Sequence, residues 1–302
     1  TEIVFEEMSA LIIRQMAKGV TTFIDIGAHY GFYSVLVGLA NPHVRIFAFE
    51  PIPENYEVLK KNLDINGIPA NTIMKAVSNV EGRLKFQVSE QSSQSGFIAN
   101  PDERVLKTID VDVVMLNQYK DIIPKGPAMV KIDTEGNELK VLEGMKQLID
   151  DISDIRLIIE FNPTCLLANG VTPQVLLDRI DKLGFDIYVV CDVEKNYKKY
   201  LPKTNWEIFM GERTYRTLFC VKKEKSLSVA FFSHSSTLSG AERSLADLVE
   251  DLCNDSVLCS VLLQSDGPLR DVLLDKGAAV YVLPEAECWW VDNKNFFSKK
   301  RK

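Results

Sequence analysis

The chain has 302 residues, 46% of them hydrophobic and 25% charged, an ordinary balance for a folded protein of one large domain or two smaller ones. Its net charge of −7 argues against broad binding to a nucleic-acid backbone, and the one basic run, Lys299-Lys300-Arg301-Lys302, reads as a solvated tail. No apolar run approaches the length of a membrane span, and a start carrying Glu2, Glu6, Glu7 and Arg14 does not read as a signal peptide.

Apolar positions Ile3, Met8, Leu11, Ile12 and Met16 predict a packing helix within 2–17, and a chain that begins there is expected to be a fragment of something longer. Strand-like runs follow at 22–26, 44–49, 72–77, 84–88, 128–132, 156–161, 185–190 and 217–221, with helical patterns at 31–40, 53–66, 136–149 and 173–183. This alternation predicts a mainly parallel sheet with helices on both faces. The polar, helix-poor connection between the last two strands predicts an antiparallel hairpin at the sheet edge.

A charged linker, Lys222-Lys223-Glu224-Lys225-Ser226, then interrupts the pattern, which restarts with a strand at 228–232, a helix from Ser239, and strands at 258–263 and 279–283 around a short helix at 268–276. This second unit of about 75 residues is short of a whole doubly wound domain. Its open edge or apolar face is expected to dock on the first unit or to pair with another copy of the chain, with Trp289 and Trp290 as candidate contacts. Of the six cysteines none forms a C-x-x-C pair; Cys191, Cys220 and Cys259 lie in or beside apolar strands and read as reduced core residues of a cytoplasmic protein.

The chemistry concentrates where strands end. Asp25 closes the first run and Gly27-Ala28-His29-Tyr30-Gly31 turns the chain toward a helix carrying Ser34; the next run closes on Glu50-Pro51. Carboxyl ends of strands are where doubly wound sheets bind ligands, and Glu50 is placed to accept hydrogen bonds from ribose hydroxyls. A dinucleotide fingerprint would need a second glycine where His29 stands, which disfavours a nicotinamide-linked oxidoreductase. The turn suits a nucleoside cofactor without phosphate, S-adenosylmethionine, whose positive sulfonium tolerates acids nearby. Ala76, Val77 and Ser78 close another strand with small atoms against which an adenine can lie, and the polar loop 89–96 can act as a substrate lid or as plain surface.

Lys131-Ile132-Asp133-Thr134-Glu135-Gly136 brings Asp133 and Glu135 to the same rim, and Ile159-Glu160 adds Glu160. Crowded carboxylates raise one another's pKa, so Asp133 or Glu135, with Glu160 as an outside candidate, can serve as general base. Oxygen ligation of a divalent cation is the rival use of these acids; no histidine joins them, and no metal is assigned.

These residues resemble the FkbM family of S-adenosylmethionine-dependent methyltransferases over about 1–223: Asp25-Ile26-Gly27-Ala28-His29-Tyr30-Gly31, Phe49-Glu50-Pro51, Ala76-Val77-Ser78, Val130-Lys131-Ile132-Asp133-Thr134-Glu135-Gly136-Asn137-Glu138 and Ile159-Glu160. The resemblance implies a Rossmann-like, seven-stranded α/β methyltransferase sheet with an antiparallel last strand, and methyl transfer to a hydroxyl, often on a sugar or polyketide. It carries Asp25, Gly27 and Gly31 to the methionine part of the cofactor and Glu50 to the ribose. The segment 227–302 resembles the opening of the GT-B glycosyltransferases: Ser233-His234 closes its first strand and Ser239-Gly240-Ala241-Glu242-Arg243 is similar to their Gly-Gly-Ala-Glu turn, with Ser239 in place of a glycine. The nucleotide-sugar half of that fold is missing, so no glycosyl transfer is expected of this partial β-α-β unit. The reading that follows is an O-methyltransferase acting on a hydroxyl of a carbohydrate, glycolipid or other small-molecule acceptor; the alternative is a non-catalytic scaffold attached to a glycosyltransferase.

Overall fold

The structure is a computed structural model describing residues 7–191, 196–202, 204–211, 214–223, 227–233, 236–254, 257–263 and 265–282. It divides into two compact units, Thr1–Lys222 and Lys223–Lys302. The expectations placed on Ile3, His234, Trp289, Trp290 and the basic tail lie outside the described residues.

In the first unit α1 (Glu7–Ala17) buries Ile13 and Ala17. The run Thr22-Phe23-Ile24-Asp25-Ile26 forms β1 (Thr22–Ile26), buried at every position as a central strand covered on both faces must be. Next come α2 (Phe32–Ala40), β2 (Arg45–Phe49), α3 (Pro53–Ile65) and β3 (Ala70–Ile73), with β2 parallel to β1 and β3 parallel to β2. Pro53 at the start of α3 fits a first helical position, where its missing N–H breaks no intrahelical bond.

The chain then leaves the main sheet. β4 (Ala76–Val77), β5 (Gly82–Ser89) and β6 (Val105–Val114) form a small sheet of their own in the order β4-β6-β5. Two expectations are corrected: the run 72–77 breaks into β3 and β4, and 84–88 belongs to this satellite sheet. Its buried Phe86, Val88, Val111 and Val113 gather with Ile52 and Ala76 into a separate apolar cluster, so the small sheet stands as a wall beside the ends of the main strands.

The main sheet resumes with β7 (Ala128–Ile132). The helix expected at 136–149 breaks at Met145 into α4 (Glu138–Gly144) and α5 (Lys146–Asp151), after which come β8 (Ile155–Phe161), α6 (Pro163–Ala168), α7 (Pro173–Lys182), β9 (Phe185–Cys191), β10 (Asn196–Tyr200) and β11 (Arg216–Lys222). The strand order is β10-β9-β11-β8-β7-β1-β2-β3. Among the described residues the sheet thus has eight strands where seven were expected; β10 is the addition, antiparallel to β9 at the sheet edge. The expected pairing of 185–190 with 217–221 forms, but not as an edge hairpin: β11 is threaded antiparallel between β8 and β9.

On one face of the sheet Ile24, Ile26, Val130 and Ile132 pack with Val141, Leu142, Leu176 and Ile180; on the other Phe23, Met129 and Ile158 pack with Ile13, Val37 and Leu59. From β1 the chain proceeds outward through β2 and β3, then returns to β7 on the other side of β1 and proceeds outward again. That reversal opens a crevice at the carboxyl ends of β1 and β7, where sheets of this kind bind ligands.

Among its described residues the second unit contains β12 (Leu227–Ser233), α8 (Gly240–Asn254), β13 (Val257–Leu263), α9 (Pro268–Asp275) and β14 (Ala279–Val282), with these strands parallel in that order and Val249, Val261, Leu269 and Leu273 in its own core. Cys165 and Cys220 are free thiols, and no described helix is long and apolar enough to cross a membrane.

Candidate active site

The turn after β1 is forced by its neighbours. Gly27 has φ +75°, and a Cβ there would stand 1.8 Å from the Asp133 carbonyl oxygen, so the end of β1 can pass the end of β7 only with glycine at this position. His29 is also in the left-handed region, at φ 50°. Its backbone N–H donates to Glu50 Oε2 at 2.9 Å, its Nε2 shares a hydrogen bond with Ser92 Oγ at 2.8 Å, and its ring stacks on Tyr30 at 3.7 Å between centroids. His29 is therefore tied into the wall by its backbone N–H and by the tip of its ring, and burial lowers its pKa.

Glu50 ends β2 only 4% exposed. Besides the His29 N–H it accepts the Ile52 N–H at 3.0 Å and the Asn55 side-chain amide at 3.4 Å, both at Oε1. Burial nonetheless pushes its carboxyl up to about 7. Asp25 is buried behind the turn; its Oδ2 accepts the Ser34 hydroxyl at 2.7 Å, and burial raises its pKa against the pull of Lys131.

At the end of β7, Lys131 Nζ donates to the Gly27 carbonyl at 2.9 Å and pairs with Asp133 Oδ2 at 2.9 Å and, farther off, with Asp25 Oδ1 at 3.8 Å. Glu135 follows at φ 51°, 3% exposed, and its Oε2 accepts the Cys165 thiol at 3.1 Å. Burial first, then the charge of Asp133, pushes the Glu135 carboxyl up to about 8. Glu138 braces the backbone instead. Its Oε1 accepts the N–H groups of Thr134 and Gly136 and the Thr134 hydroxyl, which fixes the turn presenting Asp133 and Glu135. Carboxylate oxygens of Asp133, Glu135 and Glu160 lie within 4.8 Å of one another.

These elements enclose one cavity. Of the residues singled out in the sequence, Gly27, Ala28, His29, Tyr30, Glu50, Pro51, Ala76, Val77, Asp133 and Glu135 line it. Asp25, Gly31, Ser34, Ser78 and Glu160 are not on its wall. Ser34 holds Asp25; Ser78 donates to Asn137 Oδ1 at 3.4 Å; Gly31 lets α2 approach Leu59, which a Cβ would meet at 2.5 Å. The loop 89–96 contributes Ser92, Ser93 and Ser95 to the wall. Sequence reasoning missed Lys75, Lys131, Ile52, Phe86, Phe97 and Asn137 as lining residues. Lys131 stood inside the most specific motif, and an isolated lysine in a buried strand was the signal that could have found it. Phe86 and Phe97, an edge-to-face pair at 5.4 Å, come from the satellite sheet and its loop, and nothing local to them in the sequence points to the cavity.

The family model described as Methyltransferase FkbM domain matches residues 25–187, the stretch that supplies the whole cavity wall. Among curated proteins, the chain is 27% identical to Methyltransferase sdnD of Sordaria araneosa, over 54% of this chain and 73% of that one. It is 26% identical to Hexuronic acid methyltransferase AglP of Haloferax volcanii, over 43% of this chain and 52% of that one, so it spans about half of that relative's length. A solved structure of Methyltransferase FkbM from Methylobacillus flagellatus KT aligns with a TM-score of 0.41 at 18% identity, over 67% of this chain and 43% of that one. With the family match running through more than half of its length, the chain belongs to the FkbM methyltransferase family, whose members take their methyl group from S-adenosylmethionine.

Proposed function

We propose that this chain methylates a hydroxyl group of a saccharide, or of a glycolipid or glycan precursor. The observation that carries the reading is the pair Asp133 and Glu135, brought by one turn to the wall of the cavity that the glycine turn and Glu50 also line. The residues present fit the donor. The Gly27 position admits no side chain, and Glu50 presents a buried carboxyl group held in one orientation by the His29 and Ile52 N–H groups. Gly27 and its neighbours would hold the methionine part, with Asp25 acting from behind the wall; Glu50 would take the ribose hydroxyls, and Ala76 and Val77 would lie against the adenine. When bound, S-adenosylmethionine supplies a methyl group already activated by its sulfonium.

What remains for the protein is positioning and removal of one proton. Asp133, paired with Lys131, and Glu135, backed by the Cys165 thiol, are the acceptors for that proton. The Glu135 carboxylate is made more basic than an ordinary glutamate, because burial and the charge of Asp133 both oppose its ionisation. The hexuronic acid methyltransferase among the relatives supports a sugar acceptor. The domain reading, 1–223 as methyltransferase and 227–302 as the opening part of a GT-B-like fold, is part of the proposal. It is supported for the second segment by three parallel strands with intervening helices and by the Ser239 hydroxyl bonded to Glu242. The buried thiols of Cys165 and Cys220 fit a cytoplasmic setting.

The test is transfer of labelled methyl from S-adenosylmethionine to a panel of uronic-acid and neutral oligosaccharides, comparing the protein with Asp133→Asn and Glu135→Gln. Label in a sugar hydroxyl, lost in at least one amide variant, supports the reading. Label in a non-sugar hydroxyl compound assayed alongside, and in none of the sugars, would overturn the saccharide assignment.

A further inference from the structure

A lysine is a costly residue to bury in the centre of a sheet. β7 reads Ala-Met-Val-Lys-Ile, and its other four side chains are apolar and fully buried. Lys131 is itself only 6% exposed, and an aliphatic residue would serve the packing as well. What it does instead is set by register. Lys131 is the direct neighbour of Asp25 on β1, and Asp133, two residues on, emerges on the same face of the sheet. Its ammonium therefore reaches the Gly27 carbonyl at 2.9 Å, Asp133 Oδ2 at 2.9 Å and Asp25 Oδ1 at 3.8 Å, with the Tyr33 ring of α2 at 5.5 Å. Its charge also acts on His29, Glu50 and Glu135.

A cation in the wall of a pocket for a sulfonium is the opposite of what ligand attraction alone would select. We propose that Lys131 is a positioning residue: it ties the cofactor turn to the Asp133 carboxylate, and its charge offsets the acids around it so that the pocket does not discriminate sharply between the cationic donor and the neutral thioether left after transfer. The proposal rests on the family's methyl donor and is independent of which carboxylate takes the proton.

Calorimetry with S-adenosylmethionine and with S-adenosylhomocysteine separates the two parts of this claim, and neither titration needs the acceptor. Lys131→Met keeps an unbranched side chain, one atom shorter, and removes the charge. Losing the tie weakens both ligands; losing the charge favours the cation over the thioether. The donor's affinity relative to the product's is expected to rise roughly tenfold or more, since a unit positive charge in the wall opposes a cationic ligand and not a neutral one. Asp133→Asn removes the opposite charge and should lower the ratio by a similar factor. The double variant Lys131→Met/Asp133→Asn should return it to within about threefold of the starting value, and Lys131→Arg should hold it there. A plain structural lysine would weaken both ligands equally, and an unchanged ratio in Lys131→Met overturns the proposal. If Lys131→Met does not fold, Asp133→Asn and Lys131→Arg still read the same balance, and an unmoved ratio in Asp133→Asn overturns it. Failure of the unaltered protein to bind either ligand would instead remove the donor reading on which the proposal rests.

Discussion

Glu50→Gln tests the assignment of the ribose site at its most exposed point. The glutamate uses its two oxygens to accept the N–H groups of His29 and Ile52 as well as the Asn55 amide, so the carboxylate is held in one orientation before any ligand arrives. Glutamine keeps the shape but turns one acceptor into a donor, which must then face one of the two backbone N–H groups. A hydrogen bond to a charged group is worth about 1.5–3 kcal/mol, so the dissociation constant for S-adenosylhomocysteine should rise roughly 10- to 150-fold. The raised pKa of about 7 gives a second, independent signal. At pH 7 the free protein carries Glu50 about half protonated, whereas a ligand donating two hydroxyls selects the ionised form, so binding should release roughly half a proton. Affinity should accordingly fall as the pH drops below about 7. Both effects are read by titration calorimetry in buffers of different ionisation enthalpy. Unchanged affinity in a Glu50→Gln protein that melts normally, or binding enthalpy in the unaltered protein that does not depend on buffer, would refute the reasoning.

Three further outcomes are expected. Asp133→Asn or Glu135→Gln should slow methyl transfer by roughly 10²–10⁴ while S-adenosylhomocysteine binding is retained; equal turnover in both variants and in Glu160→Gln, measured with labelled donor, would remove these acids from the chemistry. Glu50 and Glu135 both start from 4.5 and are raised by burial to about 7 and about 8, so the folded state holds their protons more tightly than the unfolded chain does. Their contribution to stability is therefore present below about pH 4.5 and lost as the pH rises to about 8; Glu135→Gln should flatten that decline in urea midpoints, and an identical slope would contradict the assigned burial. Residues 1–225 alone should retain donor binding, since every cavity-lining residue lies in them; loss of S-adenosylhomocysteine binding by that fragment, read by calorimetry, would contradict this placement of the site.

The parts of the site that were legible in the sequence share one property: they are short segments in which strand end, turn and acid are contiguous. Asp25 to Gly31, Phe49 to Pro51 and Lys131 to Glu138 could each be placed on the rim because a parallel sheet sends all its strand ends the same way. What escaped depends on contacts between distant segments. The Cys165 thiol on Glu135 and the Ser92 hydroxyl on His29 bridge separations that no local period encodes. The strand β6 was within reach, because Ile109, Val111 and Val113 alternate with Asp110 and Asp112, a period of two that its several charges obscured. β10, Asn-Tyr-Lys-Lys-Tyr, has the composition of a charged edge strand and offers no apolar run to detect.

The threading of β11 between β8 and β9 has a bearing on how the protein comes to be folded. β9 meets the rest of the main sheet only through β11, so the hairpin of β9 and β10 has no place to attach until the last strand of the unit exists. Pairing Phe161 with Arg216 closes a loop of roughly 50 residues, and the entropy of that closure is met before the ladder on either side of β11 repays it. A ribosome making this chain will therefore hold β8 with an open, apolar flank through the synthesis of everything up to Lys222, and will already be translating the second unit when that flank is covered. Slow passage through this interval, or an end to translation inside it, leaves an unpaired strand edge exposed to other chains.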